Sequence, residues 1–242
     1  MSRIAVITGA SAGIGAASAR ALAKAGFHLV LGARRIERLR EIAEPLGATA
    51  LALDVTDAAS VERFAEQVPR LDVLVNNAGM GLGMDRVADA SDERWSAMFE
   101  TNVLGALRVT RALLPKLLDS SGHLVVLGST SGFEVYPGGA GYTASKHALR
   151  AMTKTLRLEL LGQPVRITEI SPGLVETEFA TVRHGGDAER AKAVYRGMTP
   201  LTADDVAACV AFAVSLPPHV NVDEIVVRPV DQASSSAVHR RG

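Results

Sequence analysis

The apolar positions of this chain fall into two alternating textures. Short, near-continuous aliphatic runs occupy 4–7, 28–31, 48–53, 73–75, 123–127, 166–170 and 224–227. Longer segments at helical spacing lie between them, at 13–25, 35–46, 58–68, 92–118, 142–161 and 203–216. A strand that is apolar at nearly every residue has both faces covered, as in a parallel sheet between helix layers. The alternation therefore predicts an α/β, doubly wound sheet of about seven mostly parallel strands with helices on both faces. No repeat or linker interrupts it, so residues 1–242 are expected to form one domain. Two stretches depart from the pattern. A glycine-rich segment from 172 to about 187 predicts an irregular loop, part of a flexible lid over about 173–200. Residues 234–242 predict a polar tail.

Charge and composition exclude several classes of function. Lys and Arg number 26, as do Asp and Glu, so the net charge is zero. Nucleic-acid binding rests on a basic face, so a nucleic-acid partner is not expected. Aromatic residues are 4% of the chain, too few for a base-stacking platform. No apolar run approaches the roughly 20 residues of a membrane span. Residues 3–7 run straight into a glycine-rich turn and read as a strand rather than a leader, so a cytoplasmic location is expected. The single cysteine, Cys209, sits in an apolar helical run and reads as a small core residue. The six histidines show no ligand spacing, and no metal site is expected.

Chemistry-bearing residues cluster at the ends of the predicted strands. The first strand ends in Thr8-Gly9-Ala10-Ser11-Ala12-Gly13-Ile14-Gly15, and a helix follows. Glycines at that spacing let backbone N–H groups and the helix N-terminus face a pyrophosphate, although a plain strand-to-helix turn has the same look. It is no P-loop, because no Lys-Ser/Thr follows the last glycine. At the end of the second strand, where an NAD site usually carries an acid, Ala33 is followed by Arg34 and Arg35. Guanidinium groups suit a 2′-phosphate, and they equally suit the solvated start of a helix. Asp54, next to Val55, can reach an adenine amino group or cap the following helix, for which Asp57 is better placed. Asn76 and Asn77 end the fourth strand, where they shape a crevice or merely a turn.

Tyr142 and Lys146 stand at i and i+4 and share a helix face. An ammonium beside a phenol lowers the tyrosine pKa and makes a workable acid/base, yet the pair alone also describes any surface helix. Ser129 ends the fifth strand, where its hydroxyl can donate to a carbonyl oxygen. The run Gly128-Ser129-Thr130-Ser131-Gly132 is no nucleophile elbow, since the central position is Thr130; a hydrolase is not expected.

Taken together, Thr8–Gly15, Asn76-Asn77-Ala78-Gly79, Asn102, Ser129, Tyr142-x-x-x-Lys146 and Ser171-Pro172-Gly173 resemble the short-chain dehydrogenases/reductases in order and spacing over nearly the whole chain. Residues 81–84, 171–179, 181–183 and 216–221, with Arg34-Arg35, are similar to the NADP-dependent 3-hydroxy acid (serine/allo-threonine) dehydrogenase branch. The resemblance implies a Rossmann-type fold, NADP(H) as cofactor and a homotetramer. It implies that Tyr142 passes the proton, Ser129 holds the substrate oxygen, Lys146 lowers the Tyr142 pKa, and Asn102 helps hold a water leading to Lys146. It implies cofactor contacts from Gly9, Ala10, Ser11, Ala12, Gly13, Ile14, Arg34, Arg35, Asp54, Val55, Asn77, Tyr142, Lys146, Pro172, Gly173, Leu174, Val175 and Thr177. The expected reaction is hydride transfer between nicotinamide and a small secondary alcohol or ketone, including a 3-hydroxy acid. The alternatives are a carbonyl reductase of other specificity using NADH or NADPH, and a non-catalytic NADP-binding regulator. Arg183, in the glycine-rich segment, is the candidate for a substrate carboxylate; a solvated loop arginine is the plainer reading.

Overall fold

Each aliphatic run becomes a strand in the computed structural model, which describes residues 3–241. The strands are β1 (Ile4–Thr8), β2 (His28–Ala33), β3 (Thr49–Ala52), β4 (Val73–Asn76), β5 (His123–Leu127), β6 (Arg166–Pro172) and β7 (Glu224–Val227). All pair in parallel, in the order β3-β2-β1-β4-β5-β6-β7. The order reverses between β1 and β4. In such a sheet the crevice beyond the strands' carboxyl ends, at the reversal, is where ligands bind.

The helices are α1 (Gly13–Lys24), α2 (Ile36–Ala43), α3 (Ala58–Glu66), α4 (Asp92–Phe99), α5 (Ala106–Ser120), α6 (Ala140–Glu159), α7 (Glu178–Arg183), α8 (Ala188–Ala193) and α9 (Ala203–Ser215). Two buried clusters cover the two sheet faces. Leu22 of α1, Leu39 of α2 and Val206 and Val210 of α9 pack on Ile7, Leu31, Val125 and Ile170. Phe64 of α3, Leu113 and Leu117 of α5 and Leu149 of α6 pack on Val6, Leu74, Val126 and Ile167. Each large side chain so buried stabilises the fold by about 1.5–3 kcal/mol relative to exposure. Asp57 caps α3 by accepting from Ala59 N–H, as its position suggests.

Three expectations need correction. The segment 92–118 is not one helix: α4 and α5 are joined by a π-helical turn, Glu100–Gly105. The stretch from 172 to 187 is not irregular throughout. Thr177 and Asp187 each accept a backbone N–H and start the short helices α7 and α8, which occupy much of 173–200. Residues 234–241 do not trail off. Ser235 donates from its N–H and its hydroxyl to the Glu134 carboxylate, both at 2.7 Å. Arg241 N–H donates to Gly197 carbonyl at 2.7 Å, and Arg240 donates to the Val194 and Arg196 carbonyls. The polar groups of this tail bond to Glu134 and to the 194–197 segment after α8.

No described helix is long and apolar enough to cross a membrane, and the described residues hold no His/Cys/Asp/Glu cluster that fits a metal.

Candidate active site

A cleft of about 930 Å³ opens over the carboxyl ends of β1, β2, β4, β5 and β6. Its floor is the glycine turn after β1. Gly9 and Gly13 adopt φ of +65° and +51°, values that disfavour any side chain. A Cβ at Gly15 would lie 2.5 Å from Gly9 O and 2.6 Å from Asn77 Nδ2. Asn77 explains that tightness: its amide donates to Thr8 O at 2.8 Å and Gly9 O at 3.3 Å. Thr8 Oγ1 accepts from the Asn77 and Ala78 N–H groups, each at 3.0 Å. Asn76 faces the other way and donates to Ala106 O and Thr110 Oγ1. Asn77 therefore locks the end of β4 to the turn, and Asn76 ties it to α5. Ala12 begins α1 without a side-chain cap, and the first turn holds no acid. The free N–H groups of that helix end open on the cleft, which is an anion cradle.

These features fit a dinucleotide. Gly9, Ser11, Ala12, Gly13, Ile14, Arg34, Arg35, Asp54, Val55 and Asn77 line one end of the cleft, and Pro172, Gly173, Leu174, Val175 and Thr177 line its other wall. Ala10, by contrast, is fully buried and outside the lining. Arg35 Nε donates to Ser11 Oγ at 3.3 Å, so guanidinium and hydroxyl stand together beside the turn. Arg34 lies near Asp54. Burial resists ionisation of Asp54, but bonds from Thr56 and the Arg34 charge hold its pKa below the usual carboxylate value.

The far end of the cleft carries the tyrosine and lysine. Tyr142 lies in the first turn of α6, whose start packs so closely on α4 that a Cβ at Gly141 would lie 2.6 Å from Met98 Cε. Ser129 accepts Ser131 N–H at 3.1 Å, which fixes its rotamer and leaves its hydroxyl hydrogen free. Burial pushes the Tyr142 phenol up to about 12; Tyr136 adds to the rise, and Ser129 and Arg183 oppose it. The expected lowering of Tyr142 by Lys146 is thus not present in this arrangement. Lys146 Nζ lies 5.9 Å from the ring centroid and donates to Leu127 O at 2.9 Å. Its own pKa is lowered to about 8 by burial, with Glu169 opposing.

Asn102 sits in the π turn. Its Oδ1 accepts Met80 N–H at 2.7 Å; its Nδ2 donates to Met80 O at 2.8 Å and to Ser145 Oγ at 3.0 Å. The side chain is thereby fully engaged by protein groups. Gly79 lies between Asn102 and Lys146: a Cβ there would be 3.2 Å from Asn102 Oδ1 and 3.7 Å from Lys146 Nζ. Ser129, Tyr142 and Lys146 line this end of the cleft, whereas Asn102 is buried behind Gly79 and Met80 and is not part of the lining.

Arg183 closes the same end of the cleft. Its Nη1 donates to the Tyr136 hydroxyl at 2.8 Å and its Nε to Gly83 O at 3.2 Å. Its guanidinium lies 5.3 Å from the Tyr142 ring centroid. Nη2 is buried and has no partner. Phe179, one helical turn earlier, stacks obliquely on Tyr142 at 5.3 Å and fills the space left by Gly81, where a Cβ would be 2.6 Å from Phe179 Cζ.

Several lining residues had no signal in the sequence. Tyr136 depends on the 137–139 turn to approach Arg183. Glu178 pairs with Arg35 at 3.1 Å and Arg38 at 2.5 Å, across the cleft from the glycine turn. Gln232 accepts Leu174 N–H at 2.8 Å, and Ser235, Ser236, Val238 and Arg240 complete the wall. A tail rich in serine gives no indication of where it folds.

Comparison with known proteins decides the family. Residues 3–186 match the family model described as short chain dehydrogenase. This chain is a short-chain dehydrogenase. An uncharacterized oxidoreductase of Mycobacterium tuberculosis is 60% identical over 235 residues, 97% of this chain and 94% of that protein. Sulfoacetaldehyde reductase 2 of Chromohalobacter salexigens is 43% identical, across 99% of this chain and all of the relative. Among solved structures, the closed form of serine dehydrogenase complexed with NADP+ superposes with a TM-score of 0.93 at 39% identity, covering 98% of this chain and 100% of that one. The short-chain dehydrogenase fold, a Rossmann-like parallel sheet flanked by helices, is thus shared with that neighbour, and the chain is an oxidoreductase.

Proposed function

We propose that this short-chain dehydrogenase is NADP(H)-dependent and interconverts a carbonyl and a hydroxyl in a small substrate that carries an anionic group. A 3-hydroxy acid such as serine or allo-threonine is the model substrate. The observation that carries the reading is Arg183 Nη2, a buried guanidinium nitrogen without a partner, beside Tyr142 at the end of the cleft. An unsatisfied buried donor of a charged group costs free energy, and a bound carboxylate or sulfonate would satisfy it. The relatives' names support this choice. Serine oxidised at its hydroxyl carbon and sulfoacetaldehyde both place an acid group two bonds from the carbonyl carbon, within reach of one arginine.

In the reduction, Arg183 holds the anion and fixes the register of the substrate. The Ser129 hydroxyl donates to the carbonyl oxygen and orients it. Tyr142, whose high pKa keeps the phenol protonated near neutrality, gives its proton to that oxygen as it gains charge. NADPH, when bound, supplies the hydride. Lys146, at the same end of the cleft, returns a proton to Tyr142 after turnover. Arg34, Arg35 and Ser11 suit the 2′-phosphate, and no acid stands at the end of β2 to prefer NADH.

A homotetramer accounts for the exposed Leu104, Leu107, Leu158 and Leu161 and for Phe212, Val226 and Val230. The short-chain dehydrogenase is expected to work in the cytoplasm. The test is NADPH oxidation against a panel of 3-oxo acids, sulfoacetaldehyde and uncharged ketones, with NADH run alongside. Turnover of the anionic carbonyls with NADPH is the expected result. Activity on uncharged ketones alone would move the assignment to a carbonyl reductase of other specificity. No turnover on any of them, with NADPH bound, would favour a non-catalytic NADP-binding regulator.

A further inference from the structure

Behind the active site, β6 carries an acid that the reaction above leaves unused. Glu169 is 2% exposed and lies on the sheet face covered by α6, since its neighbours Ile167 and Leu149 share one buried cluster. Its Oε1 accepts the Ser171 hydroxyl at 3.0 Å, and its Oε2 is buried without a partner. A buried carboxylate is costly unless cations offset it.

The groups that face it are few. From α6 come Lys146 and, one turn on, Arg150; from β7 comes Glu224; from β6 itself comes Ser171. Arg150 Nη2 is already paired with Glu224 at 2.7 Å. Among the described residues no carboxylate lies within ion-pair distance of Lys146, whose one bond is to Leu127 O. Glu169 stands against the next residue: a Cβ at Gly128 would be 2.4 Å from its Oε1 and 2.9 Å from Ser171 Oγ. The ammonium and the carboxylate thus approach the same Leu127–Gly128 segment.

We propose that Glu169 is a positioning residue that supplies the counter-charge of Lys146 from β6, on the same α6-covered face, keeping it an ammonium during turnover, and that position 128 is glycine to admit the carboxylate. The proposal rests on the reading of Lys146 as part of the catalytic group. Two cations and two carboxylates then balance beneath α6, with Arg150 serving Glu224 and Glu169 serving Lys146. Burial raises the pKa of Glu169 and lowers that of Lys146, and each charge opposes the shift of the other.

Glu169→Gln keeps the shape and an acceptor for Ser171 and removes the charge. Two measurements read its effect. In the ligand-free protein, the pH midpoint for acetylation of Lys146 by acetic anhydride, followed by peptide mass spectrometry, should fall by about one pH unit. In steady-state reduction at saturating NADPH, the alkaline fall of kcat should move by the same amount toward neutrality, with KM for NADPH little changed. Glu169→Asp should restore most of both. Unmoved midpoints in a folded Glu169→Gln protein would overturn the proposal, whatever the change in Tm, because a purely structural acid alters stability and not the lysine titration. Should Glu169→Gln fail to fold, Ser171→Ala carries the same test with a smaller shift in the same direction, and no shift there overturns it. Tyr142→Phe is assayed in parallel. Activity retained in that variant would remove the catalytic reading itself, while the labelling midpoint still reports on Glu169 and Lys146.

Discussion

Tyr142 and Arg183 make the most direct claims on the chemistry, and each can be tested by one substitution. Tyr142→Phe removes the proton donor and little volume; kcat should fall by roughly 10²–10⁴-fold while NADPH binding, followed by fluorescence titration, stays nearly unchanged. A variant that keeps a third of the activity would contradict the assignment. Because Tyr142 is held protonated, with a pKa of about 12, reduction should be active through neutrality and alcohol oxidation should rise with pH. Arg183→Ala should lower kcat/KM about tenfold or more for a 3-hydroxy acid, about 1.4 kcal/mol, and hardly at all for an uncharged secondary alcohol. Equal losses on both substrates would indicate a role in folding α7. Ser129, Tyr142 and Lys146 were legible in the sequence because strand end and helix spacing fix their mutual placement. The height of the Tyr142 pKa was not legible, since it follows from burial and from the nearby Tyr136. Tyr136, which holds Arg183, was missed for a similar reason: its approach depends on chain folding 47 residues away in sequence.

Among the elements, the glycine turn is the most constrained. Gly15→Ala would press a methyl group into Gly9 O and the Asn77 amide, at 2.5 and 2.6 Å. Overpacking of this kind costs about 1–3 kcal/mol. The expected outcome is a lower Tm by calorimetry together with at least tenfold weaker NADPH binding. Weaker binding is expected because the displaced groups shape the turn proposed to cradle the pyrophosphate; a Tm change with full affinity would separate the turn from the cofactor. Strand and helix positions were readable because their apolar periods are strong. The π turn at Glu100–Gly105 was not, because a single inserted residue leaves the helical period nearly intact. The helices α7 and α8 are six residues each, too short to show a period, and only their caps, Thr177 and Asp187, carried a signal.

Across the whole molecule, acid sensitivity should trace to the junction of β5 and β6. Thr168 donates its hydroxyl to Val222 O, so it accepts from His123 Nε2 at 2.8 Å, and the bare Nδ1 is buried without a partner. Burial, with Arg166 nearby, lowers the His123 pKa to about 3 from the usual 6.5. The unfolded chain therefore binds a proton that the folded one refuses. Stability is complete above pH 6.5 and declines as pH falls toward 3, by roughly 5 kcal/mol in all. Denaturant midpoints measured from pH 7.5 to 4.5 should show this slope, and His123→Gln should flatten it. At neutral pH, light scattering should report an assembly of four 25.4 kDa chains. A single 25 kDa species at micromolar concentration would refute the tetramer.

The fit of Phe179 into the hollow at Gly81 also restricts how descendants of this chain can change. Any side chain at position 81 collides with a ring that is 2.6 Å from where its first carbon would stand. A smaller residue at 179 leaves a void against Tyr142. Either substitution alone is harmful, yet alanine at 81 with leucine at 179 restores the volume. Mutational paths between such variants must cross a valley whichever position changes first, and the two sites should therefore behave as one unit of inheritance in any diversified library.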